Sequence, residues 1–250
     1  MCTVSYLPLT EKGFIITSTR DEKSIRKPAL PPEGYDIHGE SVYFPRDTDA
    51  GGTWISFSPG GHTLCLLNGG FFFHESNPPY RRSRGLVLLD FYLYNDVAGF
   101  RDRYDFDGIE PFTLLIRNFG GTVPDMVDPR FDEIRWDGEQ VHHTPLNPDL
   151  PAIWSSVTLY SDEVISQRRR WFEEWLAGQL EYSIGNAVDF HKTAGTGNIE
   201  NDILMNRNNL VRTVSITSIL KDPRRHEYYY EDIINRQQHS NRLPLKRINK

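Results

Sequence analysis

The sequence predicts an α+β fold, and three observations carry that reading. Apolar residues alternate or run together at 3–7, 14–17, 53–57 and 63–67, and a similar pattern returns at 210–219. Between these strand-rich ends, apolar residues recur at helical spacing after Ser83 and again across 162–180. No internal repeat or break in composition divides the chain, so residues 1–250 are read as one domain.

Taken in order, 3–7 and 14–17 form a hairpin around Pro8 and Gly13. The stretch 27–45 carries Pro28, Pro31, Pro32 and Pro45; its missing backbone donors predict an irregular surface connection. A second hairpin, 53–57 with 63–67, turns at Pro59-Gly60-Gly61-His62. Its exit, Asn68-Gly69-Gly70, is either a plain turn or a site loop, because two glycines allow positive φ and close backbone approach. Phe71, Phe72 and Phe73 follow. They are either core or the wall of a substrate pocket, since consecutive aromatics cannot all face one core.

Ser83 caps a helix that carries Leu86, Val87, Leu89 and Leu93 and ends before Gly99. A strand at 112–116, a turn at 118–121 and a hairpin through Asp137-Gly138 come next. His142 and His143 are adjacent on a strand and point to opposite faces, and no Cys or carboxylate cluster has zinc-like spacing, so no metal is expected. Ser161 caps the long helix, whose stripe is Val164, Ile165, Trp171, Phe172, Trp175 and Leu176; Arg168, Arg169 and Arg170 are assigned to its solvated face. A short helix spans 184–192. Gly195-Thr196-Gly197 then breaks the chain without the Lys-Ser/Thr of a phosphate loop. Residues 233–250, rich in Arg and Lys, are expected to be a loosely ordered basic tail.

Composition narrows the function classes. A formal charge of −6 over 250 residues argues against a nucleic-acid partner. No stretch approaches the roughly 20 apolar residues of a membrane span. A soluble, cytoplasmic protein acting on a small molecule is expected, with no cofactor and with its oligomeric state left open. Cys2 and Cys65 are too few for a disulfide framework.

Cys2 is where the chemistry concentrates. Removal of Met1 would leave a thiol and a free α-amine on one residue, with ordinary pKa values of about 8.5 and about 7.7–8.0, so the amine can take the thiol proton near neutrality. The first hairpin returns Arg20 and Asp21 beside it. Arg20 favours thiolate by charge, and Asp21 can orient the amine.

Met1-Cys2, the tetrapeptide Thr19-Arg20-Asp21-Glu22, Arg46-Asp47, Gly51-Gly52-Thr53-Trp54, Leu66-Leu67-Asn68, Ser83-Arg84-Gly85, Pro111-Phe112-Thr113-Leu114 and Arg212-Thr213-Val214 occur in that order. In this the chain resembles the NRDE family, whose eukaryotic branch is called transport and Golgi organisation protein 2, with Thr19 where the family has Asn. That family is similar in fold to N-terminal-nucleophile (Ntn) hydrolases, in particular the cysteine branch with choloylglycine hydrolase and penicillin acylases. The resemblance implies a four-layer αββα sandwich. It also implies an amidohydrolase in which Cys2 forms an acyl-enzyme, Asn68 stabilises the oxyanion, and Arg20 and Arg212 set the thiolate or hold a substrate carboxylate. Ser156 stands where the related hydrolases use an Asn beside the nucleophile, and offers one donor instead of two. Without the resemblance, Arg212 is simply a strand-end arginine. A non-catalytic binding or trafficking module for a hydrophobic small molecule, and an acyltransferase on the same residues, are the alternatives.

Overall fold

The computed structural model describes residues 3–118 and 129–243. In chain order its elements are β1 (Thr3–Pro8), β2 (Phe14–Lys23), β3 (Leu30–Ile37), β4 (Glu40–Arg46), β5 (Ile55–Phe57), β6 (His62–Asn68), α1 (Arg84–Tyr94), α2 (Val97–Arg103), β7 (Phe112–Asn118), β8 (Phe131–Trp136), β9 (Val141–Leu146), β10 (Ala152–Ser155), α3 (Asp162–Ala177), α4 (Ile184–Thr193), β11 (Asn206–Arg207), β12 (Val211–Asp222), β13 (Arg225–Asp232) and β14 (Gln237–Leu243). They build two antiparallel sheets. One runs β10-β1-β2-β12-β13-β14 with β11 beside β12, and the other runs from β3 to β9 in chain order.

Strand alternation sorts the side chains into layers. On the first sheet, Tyr6, Phe14, Ile16 and Ile219 pack against the second sheet. Their neighbours Leu7, Ile15 and Leu220 point the other way, onto Phe172 of α3 and Phe190 of α4. The second sheet does the same in mirror order. Phe131 meets Tyr6 between the sheets at 4.4 Å, while His62 meets Phe91 of α1 on the outer side at 5.0 Å. The α+β expectation is thus met as an αββα sandwich. Lys221 ties the layers at the end away from Arg20, its Nζ donating to the carbonyls of Ser58 at 2.9 Å and Gly61 at 2.8 Å.

Several local expectations are corrected. Residues 27–45 are a hairpin of β3 and β4 and not an irregular connection. β3 is a sheet edge, where Pro31 and Pro32 withhold donors that no neighbour needs, and the register shifts between Leu30 and Glu33 accommodate them. The helix from Ser83 does end before Gly99, at Tyr94, where Asn95 turns left-handed (φ 50), but Gly99 itself lies in a second helix that the sequence did not predict. This helix starts on Asp96, which accepts from the Gly99 N–H at 2.6 Å. Much of the expected basic tail is ordered: β14 pairs with β13 from Asp232↔Gln237 to His226↔Leu243, and 244–250 lie outside the described residues. Most of the expected turn at 118–121 also lies outside them.

Arg168 is not on the solvated face of α3. Spaced four residues from Val164 and from Phe172, it falls on the buried stripe and is 0% exposed. Its guanidinium donates to Thr3 Oγ1 at 2.5 Å, Asp202 O at 2.6 Å and Asn201 O at 3.0 Å. It also lies over the Tyr160 ring at 3.6 Å. Five donors in a fixed fork let an arginine be buried without a carboxylate, provided carbonyls surround it. Among the described residues no helix is long and apolar enough to cross a membrane.

Candidate active site

The sheets open at the end of β2 that carries Arg20. Thr3, the first residue of β1, pairs there with Thr19 on one side and Ser155 on the other. Cys2, the residue before it, lies outside the described residues. Cys65 is no substitute nucleophile: it is fully buried between the sheets, and burial pushes its thiol up to about 12 despite a hydrogen bond with Ser18.

Arg20 points between the sheets and is 4% exposed. Its Nη2 donates to Asp47 Oδ2 at 2.6 Å, and its guanidinium lies 4.8 Å from the centre of the Trp54 ring. Asp47 also takes Arg26 at 2.8 Å and the Ala50 N–H at 2.8 Å. Burial alone would raise the Asp47 carboxyl; the Ala50 N–H and the two guanidinium groups outweigh it and hold it below the ordinary carboxylate value. Arg20 is therefore a fixed cation with a set direction.

Asn68 ends β6 and shares with Arg20 and Trp54 the lining of an open cavity of about 320 Å³. The loop behind it is clamped. Gly69 has φ +88, its N–H donates to Pro111 O at 2.9 Å, and its own carbonyl accepts from Thr113 Oγ1 at 2.9 Å. A Cβ at Gly69 would lie 2.6 Å from Val157 Cγ2, so only glycine fits. Ser156 Oγ donates to Asn68 O at 2.7 Å. Ser156 thus fixes the Asn68 backbone and does not line the cavity.

Asp21 follows Arg20 and so faces the other side of the sheet. Its two oxygens accept from Tyr160 Oη at 2.6 Å and Thr213 Oγ1 at 2.5 Å, in the layer that also holds Arg168. The structure brings Arg20 and Asn68 together, and holds the Asp21 carboxylate against Tyr160 and Thr213. Arg212 lines a second, smaller cavity of about 140 Å³, which shares Arg20, Glu22 and Arg26 with the first but not Asn68. Phe71, Phe72 and Phe73 line neither cavity. The chain leaves the sheet after Gly70, so Phe72 and Phe73 stand 83% and 68% exposed, while Phe71 packs edge-on against His142 at 4.8 Å.

Sequence reasoning missed several lining residues, Ser83 and Trp54 among them. Ser83, read as a helix cap, makes no capping bond, and its buried Oγ has no hydrogen-bond partner among the described residues. Trp54 Nε1 is likewise buried and unpartnered among them. Both stand in the motif matches, Gly52-Thr53-Trp54 and Ser83-Arg84-Gly85, which the structure brings together: Thr53 N–H donates to Gly85 O at 3.1 Å. His142 and His143 bond separate acids, Asp137 and Asp132, and among the described residues no cluster of three metal-ligating side chains forms.

No protein-family model matches this sequence, and no curated protein is similar to it in sequence. Solved structures do resemble it in fold. A cysteine-to-alanine mutant of conjugated bile acid hydrolase from Clostridium perfringens superposes with a TM-score of 0.57 at 9% identity, over 96% of this chain and 92% of the other. Penicillin V acylase from Agrobacterium tumefaciens superposes with a TM-score of 0.53 at 13% identity, over 96% of this chain and 85% of the other. At such identities the likeness defines the fold, which is that of the Ntn hydrolases.

Proposed function

We propose that this protein is an Ntn-type cysteine amidohydrolase of the NRDE type, cleaving a small amide through an acyl-enzyme on Cys2. The observation that carries the proposal is one cavity in which Arg20 and Asn68 converge with the unpartnered donors Trp54 Nε1 and Ser83 Oγ, at the rim where β1 begins. The fold, shared with a bile acid hydrolase and a penicillin acylase, and the position of Cys2 one residue ahead of β1 support the same reading.

In this mechanism the Cys2 α-amine takes the thiol proton, and sulfur attacks the amide carbon. Negative charge gathers on the carbonyl oxygen, where the Asn68 amide donates. The C–N bond breaks as the ammonium returns its proton to the departing amine. Water, deprotonated by the same amine, then attacks the thioester, the C–S bond breaks, and acid and free thiol result. Arg20 holds the thiolate by its fixed charge. Asp21 braces β2 from behind through Tyr160 and Thr213.

The test begins with the intact mass of untagged protein, which should be short by one methionine. Cys2→Ala should then abolish turnover of any amide the parent hydrolyses, and the parent should form a thioester adduct at Cys2 that Cys2→Ala lacks. Unchanged turnover in Cys2→Ala would sink the proposal. A second reading, binding of a hydrophobic molecule without cleavage, is favoured by exposed Phe72 and Phe73. It predicts that Phe72→Ser with Phe73→Ser abolishes ligand binding while Cys2→Ala does not.

A further inference from the structure

Each sheet ends in two outer strands, β10 and β14 in the first and β3 and β9 in the second. Three of these edges are blunted against further pairing. β3 carries Pro31 and Pro32 with a shift of register, β9 carries Pro145, and β10 is four half-buried residues against which α3 packs. β14 has none of these devices. Its seven residues include no proline, its register with β13 runs unbroken from Asp232↔Gln237 to His226↔Leu243, and Gln237 through Arg242 are all exposed. Successive strand residues point to opposite faces, so both faces of β14 meet solvent and only Leu243 reaches the core. The strand is therefore held by its backbone pairing with β13. Every second residue turns its N–H and C=O away from β13, and no strand receives them among the described residues.

The charge of this edge is opposite to that of the chain. Residues 233–243 contain no acid and carry Arg236, His239 and Arg242, in a chain of charge −6. Arg236 is exposed and makes no ion pair among the described residues. Arg242 is 64% exposed and lies 3.6 Å from Glu227, which Arg225 also approaches at 3.8 Å. From this arrangement we infer that β14 is a docking edge for an extended acidic segment of a partner protein, which adds to the first sheet as a further strand. The backbone groups supply the pairing, and carboxylates near Arg236 and Arg242 set the choice of partner. At about 3.4 Å per residue the edge is about 24 Å long, so the segment has about seven residues with an acid toward each end. A second copy of this chain is the poorer occupant, because it would bring two acid-free, arginine-bearing edges together. None of residues 233–243 lines the cavity of Asn68, and the docking edge does not rest on the hydrolase reading.

The experiment is an NMR titration of the isotopically labelled full chain with the peptide acetyl-Glu-Thr-Val-Thr-Val-Thr-Glu-amide, taken to millimolar concentration. Two further peptides serve as controls: one with Lys at both ends in place of Glu, and one with Pro-Pro in place of the central Thr-Val. The Glu-ended peptide should shift the amides of 237–243 saturably, slow the hydrogen exchange of every second one, and bind more weakly at high salt. The Lys-ended peptide should bind about tenfold more weakly, since an exposed ion pair is worth up to about fivefold and two are reversed. The Pro-Pro peptide should also lose at least about tenfold, because adjacent N–H groups point to opposite sides and one of the two missing donors must face β14. Arg242→Glu changes an exposed side chain and should weaken the Glu-ended peptide about fivefold while strengthening the Lys-ended one. Unshifted β14 amides, equal binding of the Glu-ended and Lys-ended peptides, undiminished binding of the Pro-Pro peptide, or no effect of Arg242→Glu would each overturn the assignment. So would a doubled mass in solution with the same alternate amides protected before any peptide is added, which would give the edge to a second copy.

Discussion

Replacing Gly69 by alanine tests whether the loop that holds Asn68 is as tightly built as its geometry indicates. Two costs add at this position. The first is conformational: φ is +88, and an L residue in the left-handed region costs about 1–2 kcal/mol. The second is steric: the new Cβ would meet Val157 Cγ2 at 2.6 Å and Thr158 Cγ2 at 2.8 Å, and such overpacking costs about 1–3 kcal/mol. Gly197 supplies the control, because its φ is also +88 and nothing lies within 4 Å of its Cβ position. Gly197→Ala should therefore lose only the first cost, about 1–2 kcal/mol. Gly69→Ala should lose about 2–5 kcal/mol in all. Urea unfolding with linear extrapolation measures both, and thermal midpoints should track them at about 2–4 °C per kcal/mol for a chain of this size. Equal losses in the two variants would refute the clamp, and with it the claim that Asn68 is held rigidly at the cavity.

Other outcomes follow from the same contacts. Arg168→Met should cost about 3 kcal/mol or more, because Asn201 O, Asp202 O and Thr3 Oγ1 lose a buried donor, whereas exposed Arg169→Met should stay within about 0.5 kcal/mol in the same unfolding assay. Burial pushes His62 down to about 4 and His191 down to about 3, the latter aided by the Arg168 charge. Both stay neutral in the fold while the unfolded chain takes up protons below about 6.5, so stability should be full above that pH and fall as pH drops toward 4. Each contributes a slope of up to about 1.4 kcal/mol per pH unit, and His191→Leu should make the measured acid slope shallower by one such share. A slope unchanged by that substitution would show that His191 is protonated in the folded protein.

What the sequence determined by itself was local. Alternation at 14–17 and 63–67 marked strands that are present as β2 and β6, and the apolar stripe after Ser161 marked α3 nearly to its end. The pairing of Asn68 with two glycines marked a strand exit that needs a positive φ, which Gly69 adopts. These signals survive because each depends on residues a few positions apart.

Tertiary structure decided the rest, since the deciding partner lies far along the chain. Pro31 and Pro32 can belong to a strand only because β3 is an edge, and being an edge is a property of the sheet. Arg168 is buried because carbonyls 33 and 34 residues away receive it. Arg20 and Asp21 are neighbours in sequence, yet one meets Asp47 between the sheets and the other meets Tyr160 behind them. Trp54 and Ser83 became lining residues when the segments leading into β5 and α1 met at one cavity, and β12 set Arg212 in the adjoining cavity, which shares Arg20, Glu22 and Arg26 with it. Sequence periodicity can say which residues share a face; only packing says what that face meets.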